Sequence, residues 1–208
     1  MSQLNYQRSY WQNFITNSSE DRLASDLNSS WDASSKKYLS HTEIPEEYLA
    51  YLKENIEFKK TLDFGVGLGR NQPYLKSLFS EVHGFDLPEM IQRYSKIVPE
   101  NKNLFHDFNI LASDYSLLYE STVFQHMPPN EVLFYLIFLS KKSKYYFTST
   151  RSYNDFLRRF NSKSGGINMY HLIMSSNSWE KVFISNDKAD SLNNETYYCA
   201  LYKSKNLT

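Results

Sequence analysis

Leu62-Asp63-Phe64-Gly65-Val66-Gly67-Leu68-Gly69-Arg70 decides the fold. An apolar run breaks there into three alternate glycines and then enters a segment marked by Leu75, Leu78 and Phe79. The pattern reads as strand, tight turn and helix. Glycine in such a turn removes the Cβ atoms that would hold a ligand away from the backbone. The N–H groups at the helix start favour a polar or anionic group. A ligand crevice is therefore expected where the strand Thr61–Phe64 ends.

Working outward, short apolar runs alternate with helical ones. Strands are expected at Val82–Phe85, Asn103–His106, Tyr115–Val123 and Tyr145–Thr150, with helices opened by Pro88 and by Pro128-Pro129, the second running through Leu139. That alternation predicts a mostly parallel sheet with helices on both faces, a Rossmann-like α/β fold. Lys181–Ser185 and Thr196–Tyr202, separated by a polar turn, predict an antiparallel pair that completes seven strands. Residues 1–60 are polar, rich in Ser and Asn, and carry no strand-like run. Two helices are expected in them, over Leu4–Ile15 and after Pro45, which sits at the first helical turn before Tyr48, Leu49, Leu52 and Ile56. They would form an amino-terminal cover on a core of residues 61–208, itself interrupted by an insertion at about 151–178 around Gly165-Gly166.

Composition bounds the function. A chain of 208 residues with 41% hydrophobic and 16% aromatic content can bury one sizeable core. Lys and Arg total 23 and Asp and Glu 23, so the net charge is zero, which argues against a surface built for nucleic acid or anionic membrane. Cys199 is the one cysteine, which excludes an internal disulfide, a thiolate metal site and two-cysteine redox chemistry. Met1–Gln7 shows no cationic segment followed by an apolar one, so no signal peptide is expected. The longest apolar run, Val132–Leu139, is eight residues, against the ~20 needed to span a bilayer. A cytoplasmic monomer or homodimer without a metal is expected.

Asp86 is the second informative residue, 21 positions after Gly65 at the end of the next expected strand. A carboxylate there accepts hydrogen bonds from ribose hydroxyls. It could equally cap the helix opened by Pro88. Glycines and acid together point to an adenosine-containing cofactor. The dinucleotide fingerprint needs glycine at position 70, where this chain has Arg70. Asp63 to Gly69 instead resembles motif I of the class I S-adenosylmethionine-dependent methyltransferases, of the small-molecule type. The resemblance covers roughly residues 61–150 and the final strand pair.

It implies that Asp63 contacts the cofactor's amino acid part beside Gly65, Gly67 and Gly69, and that Asp86, next to Leu87, holds the ribose. Asp107, followed by Phe108, stands where the family has an acid near the adenine amine, although a turn carboxylate is an equal reading. Ser121-Thr122-Val123-Phe124-Gln125-His126-Met127-Pro128 resembles the segment that passes the methionine moiety, which brings in Ser121 and His126. Val66 and Leu68 depart from the small or polar residues common between the family's glycines, and they would narrow the pocket.

Methyl transfer to oxygen or nitrogen is an in-line displacement, in which the protein aligns donor and acceptor and removes a proton. His126, after the fourth strand, and His171, in the segment after the fifth, are the candidate acceptor-side groups. His41, His83 and His106 read as structural or surface groups. Glu120 ends the strand that leads to His126, and reads either as part of the site or as a solvated strand-end acid. Cytosine-C5 and arsenic methylation need thiols in places this chain lacks them. The Pro128-Pro129 pair has neither the preceding acid or amide nor the following aromatic residue of amino-adenine methyltransferases.

Residues 141–163 hold Lys141, Lys142, Lys144, Arg151, Arg158, Arg159 and Lys163 against Asp155. That run is either a solvated helix face or a pocket for a phosphate- or carboxylate-bearing acceptor, with Arg151 and Arg158 as bidentate partners. Tyr6, Tyr10, Trp11, Phe14 and Trp31 either pack on outer helices or form a lid, with Trp11 facing the acceptor. The resemblance thus implies methylation of a small metabolite from S-adenosyl-L-methionine, an anionic one where the basic run lines its pocket. A nicotinamide-dependent oxidoreductase and a non-catalytic partner subunit of the same fold are the alternatives.

Overall fold

The computed structural model describes residues 12–19, 31–32, 37–38, 42–124, 127–151, 169–190 and 195–207. Its elements in chain order are α1 (12–17), β1 (Trp31–Asp32), β2 (Lys37–Tyr38), α2 (Glu46–Asn55), β3 (Lys60–Phe64), α3 (Gln72–Leu78) and β4 (Glu81–Phe85). There follow α4 (Pro88–Ile97), β5 (Leu104–Phe105), a 3-10 turn (Phe108–Ile110), β6 (Tyr115–Ser121), α5 (Pro129–Leu139), β7 (Ser143–Arg151), α6 (Met169–Ser175), β8 (Trp179–Asp190) and β9 (Glu195–Ser204). One seven-stranded sheet has the order β5-β4-β3-β6-β7-β9-β8. The expected Rossmann-like α/β architecture with a mostly parallel sheet is the observed one. The chain comprises two compact units, residues 1–43 with 58–111, and residues 44–57 with 112–208.

In the first unit β3 pairs in parallel with β4, Lys60 opposite Glu81 through Phe64 opposite Phe85. β4 pairs in parallel with β5. Gly84 makes the close packing beside β4 feasible, since a Cβ there would meet the Leu104 side chain at 2.8 Å and Val66 at 3.0 Å. Leu87 is the N-cap of α4 and Pro88 its first residue, where a missing N–H costs nothing. Met90, Ile91 and Tyr94 form the helix's buried face and join Ile15, Val66 and Leu68 in one apolar cluster, with Phe14 and Leu87 packed against it. Arg93 fastens α1 to this cluster by donating to the carbonyls of Ser18 at 2.7 Å and Thr16 at 3.0 Å, groups that a helix end leaves without partners.

In the second unit β6 is buried along its whole length and pairs in parallel with β7. β9 runs antiparallel to both β7 and β8, so the expected antiparallel pair closes the sheet with β8 at the edge. Val132, Leu136 and Leu139 form the buried stripe of α5, and Trp179 Nε1 donates to the Leu136 carbonyl at 3.0 Å. Tyr48 of α2 stacks on Phe183 and donates its hydroxyl to the Cys199 carbonyl at 3.2 Å.

Three expectations are corrected. Residues 1–60 do contain strand structure, a two-residue antiparallel ladder of β1 with β2, too short for any period to register. Pro45 is the N-cap of α2 and not a residue of its first turn. Asp86 does not cap α4, because the chain stays extended through Leu87.

Candidate functional site

The turn between β3 and α3 is made by Gly65, Gly67 and Gly69, with φ of 78°, 55° and 83°. That left-handed region admits glycine without the Cβ penalty other residues meet. The turn is stitched to the end of β4 at three points. The N–H groups of Gly65 and Val66 both donate to the Phe85 carbonyl, at 2.8 and 3.1 Å. Gly67 N–H donates to Asp86 Oδ2 at 2.8 Å, while Asp86 Oδ1 accepts from the Leu87 N–H at 2.7 Å. The side chains between the glycines go into the apolar cluster, Val66 at 4% and Leu68 at 6% exposure. They therefore anchor the turn from its core side and do not narrow a ligand space as expected.

Two carboxylates stand at this turn. Burial pushes the Asp86 carboxyl up to about 6, against the opposing pull of the two backbone N–H bonds. Asp63, 1% exposed at the end of β3, is pushed up to about 7 by burial. A hydrogen bond from Gln72 Nε2 to its Oδ2 at 3.0 Å and the Arg70 guanidinium pull it down, and the Asp86 charge adds to the rise. Arg70 in turn donates from Nη2 to Thr42 Oγ1 at 3.1 Å, and Asn71 Oδ1 accepts from the Thr42 N–H at 3.1 Å.

On the next strand's exit, Asp107 Oδ1 accepts from the N–H and the side-chain amide of Asn109, both at 2.9 Å. It caps the 3-10 turn that begins at Phe108, and so behaves as the turn carboxylate of its second reading.

In the second unit Glu120 is fully buried, which overturns the reading of a solvated strand-end acid. Its Oε1 accepts from the N–H groups of Val123 at 2.5 Å and Phe124 at 3.1 Å. Its Oε2 accepts from Thr148 Oγ1 at 2.6 Å and the Tyr146 hydroxyl at 3.3 Å. Burial raises its pKa, and these four donors oppose the rise. Between the bonded residues lies Thr122 at φ 61°, an uncommon conformation for a β-branched residue. Its N–H donates to the Ser149 carbonyl at 2.7 Å. Glu120 thus fixes the exit of β6 just after Ser121.

The structure brings together Asp63, Gly65, Gly67, Gly69, Asp86 and Leu87. Trp11, His126 and Arg158 lie outside the described residues. Arg151 ends β7 and His171 lies on α6, with both side chains outside the described set. His83 is buried and paired with Glu81, and His106 is exposed. Sequence reasoning missed Gln72, which no spacing marks, and used Arg70 only to exclude a fingerprint. Among the described residues no group of His, Cys, Asp and Glu is arranged to hold a metal ion.

No protein-family model and no curated protein matches the chain. Solved structures do. The N-methyltransferase NodS from Bradyrhizobium japonicum WM9, in complex with S-adenosyl-L-homocysteine, superposes with a TM-score of 0.62 at 11% identity, over 96% of this chain and 98% of that one. Magnesium protoporphyrin IX methyltransferase (ChlM) from Synechocystis PCC 6803 with bound SAM gives 0.59 at 13% identity, over 98% of both chains. An S-adenosylmethionine-dependent methyltransferase from Mesorhizobium loti gives 0.53 at 12% identity, over 74% of this chain and 96% of that one. The chain has the fold of the class I S-adenosylmethionine-dependent methyltransferases.

Proposed function

We propose that this protein binds S-adenosyl-L-methionine and transfers its methyl group to an oxygen or nitrogen of a small metabolite. One observation carries the reading: the Asp86 carboxylate is held against the glycine turn by the Gly67 N–H at 2.8 Å and by its own neighbour's N–H at 2.7 Å. A carboxylate oxygen accepts more than one hydrogen bond, so both oxygens keep capacity for the adjacent hydroxyls of a ribose. The cofactor fits the residues present, because the turn beside Asp86 is glycine at each position of positive φ and offers backbone where side chains would obstruct. NodS and ChlM, crystallised with S-adenosyl-L-homocysteine and SAM, support the same reading.

The bound cofactor supplies an electrophilic methyl on a sulfonium. The chain's own residues bind and orient: Asp86 takes the ribose, Leu87 packs beside the adenosine, and Asp63 faces the amino acid part. Glu120 holds the exit of β6, so that Ser121 through Phe124 have one backbone path. His126 and His171 are the proposed acceptor-side groups, and Trp11, Arg151 and Arg158 the proposed acceptor contacts. Asp107 and Phe108 are proposed near the adenine. The acceptor is proposed as a small metabolite, and no helix among the described residues is long and apolar enough to cross a membrane.

Calorimetric titration of the purified chain with S-adenosyl-L-methionine, S-adenosyl-L-homocysteine and a nicotinamide dinucleotide tests the reading. Saturable binding of the first two and none of the third is expected. Binding of the dinucleotide alone, or of none of them, overturns it.

A further inference from the structure

The longest apolar run of the sequence, Val132–Leu139, becomes most of α5 and makes that helix apolar on every side. A helix of that kind is ordinarily enclosed, whereas a surface helix turns a polar stripe outward. Here one side alone is enclosed. Val132, Leu136 and Leu139 are buried, while Phe134 is 48% and Ile137 42% exposed. With Met174 of α6, the helix packed beside α5, they are three of the four large apolar side chains exposed among the described residues. The Phe134 and Phe138 rings stack with centres 6.0 Å apart, which makes the outer side of α5 an aromatic ridge.

Two charges bound this ridge. Glu131, Phe134, Phe138 and Lys141 succeed one another at steps of three and four residues, so they lie along one line of the helix. The Lys141 N–H donates to the Phe138 carbonyl, which carries that line past the last residue of α5. Glu131 and Lys141 form no ion pair with any described residue. Lys142 is engaged, its Nζ 5.1 Å from the Phe138 ring centre and 3.5 Å from the Ala112 carbonyl, so Lys141 is the outward cation at this end. An apolar ridge with an anion at one end and a cation at the other is self-complementary under a two-fold axis. Turning a second copy end for end sets each charge against its opposite. An anionic lipid surface or a uniformly acidic helix would instead meet Glu131 with like charge.

We propose that the outer side of α5 is the contact face of a homodimer, in which two α5 helices pack antiparallel about a two-fold axis. Phe134 of one copy lies against Phe138 of the other, Ile137 sits next to the axis, and Glu131 pairs with Lys141 at both ends. The 11-residue helix is ~16 Å long, so the contact is smaller than the ~800 Å² per partner of a standard interface. The dimer therefore separates on dilution in the micromolar range. The face belongs wholly to the second compact unit, and the proposal is independent of the cofactor reading.

Sedimentation velocity of the full chain, diluted from about 1 mM to about 1 μM, spans the range in which weak contacts dissociate. The mass is expected to fall from the dimer's to the monomer's, and a monomer throughout overturns the proposal. Phe134→Asp should weaken association at least about tenfold by placing a charge in the contact. Unchanged association moves the dimer to another face and likewise overturns it. Glu131→Lys and Lys141→Glu should each weaken association several-fold, and mixing the two variants should recover it, because both ends of the mixed dimer again pair opposite charges. A mixture that stays dissociated refutes the antiparallel pairing. Should Phe134→Asp fail to fold, dilution of the unaltered chain and the mixture, which alters only the charged ends, decide. Flotation with vesicles of phosphatidylcholine and phosphatidylserine is the last readout. Vesicle binding by a chain that does not self-associate assigns the face to lipid and overturns the proposal.

Discussion

The Tyr94 side chain fills the volume that a Cβ on Gly69 would occupy, with its hydroxyl, Cζ and Cε2 the nearest atoms. The last glycine of the turn is thereby constrained twice, by φ of 83° and by a buried ring. Gly69→Ala is expected to lower the thermal midpoint sharply, the left-handed backbone alone costing ~1–2 kcal/mol. Gly69→Ala with Tyr94→Phe should not recover it, because two of the three nearest atoms belong to the ring that remains. Recovery in the double variant, followed by differential scanning calorimetry, would show the hydroxyl to be the whole obstacle.

Asp86→Ala should weaken binding of S-adenosyl-L-homocysteine by ~1–3 kcal/mol through loss of charged hydrogen bonds. Asp86→Asn, which keeps an oxygen for one N–H but turns the other position into a donor, should fall between. Titration calorimetry orders the three proteins, and unchanged affinity in both variants contradicts the ribose assignment.

The raised pKa values give a signed pH dependence. Asp63 at about 7 and Asp86 at about 6 keep protons in the folded chain that the unfolded chain has released. The unfolded state therefore binds fewer protons between about pH 4 and pH 7, and stability falls as pH rises through that window. Glu120, shifted in the same direction, adds to the trend. Ligand affinity should run the opposite way, since ionised Asp63 and Asp86 are the accepting forms. Urea unfolding and S-adenosyl-L-methionine titration at pH 5 and pH 8 should move in opposite directions. A parallel change in both refutes this account.

Removing Glu120 strands four donors in the interior. Glu120→Ala should cost roughly 3 kcal/mol or more, since a buried backbone donor left without its acceptor costs ~1–3 kcal/mol and two N–H groups lose theirs. Glu120→Gln should cost less, since the hydroxyls of Thr148 and Tyr146 can rotate to accept from the new amide. Denaturant curves resolve the two, and near-equal midpoints would show that the charge itself matters more than the hydrogen-bond pattern.

Arg93→Ala should loosen the end of α1 without unfolding the chain, because its guanidinium bonds end on the Ser18 and Thr16 carbonyls while Ile15 keeps its place in the cluster. Amide exchange over residues 12–19 should speed up while β3 and β4 stay protected. Uniform acceleration through both strands would mean that the guanidinium supports the whole unit.

Much of the architecture could be read from spacing. The run Leu62 to Gly69 gave strand and turn, and Pro88 and Pro129 marked the starts of α4 and α5, because backbone rules act locally. The placement of Asp86 beside the turn follows from its distance from Gly65, a separation set by one helix and one strand. The partners of polar side chains were less accessible. Nothing in the letters around Glu120 says that Thr148, 28 residues away, will close over it. Gln72 likewise depends on Asp63 across the turn, and Asp107 on a local loop that competes with any ligand role. The size of Val66 and Leu68 is legible in the letters, but only packing tells that both side chains turn into the apolar cluster and leave the pocket unnarrowed.

That inward rooting has a consequence for how such a turn can change. Substituting Val66 or Leu68 would be felt as a packing defect among Ile15, Met90 and Ile91, and substituting the glycines as a broken bend. Neither kind of edit offers a graded adjustment of the turn. Graded change at this corner falls to flanking positions such as Arg70 and Gln72, leaving the bend itself a fixture that later change builds around.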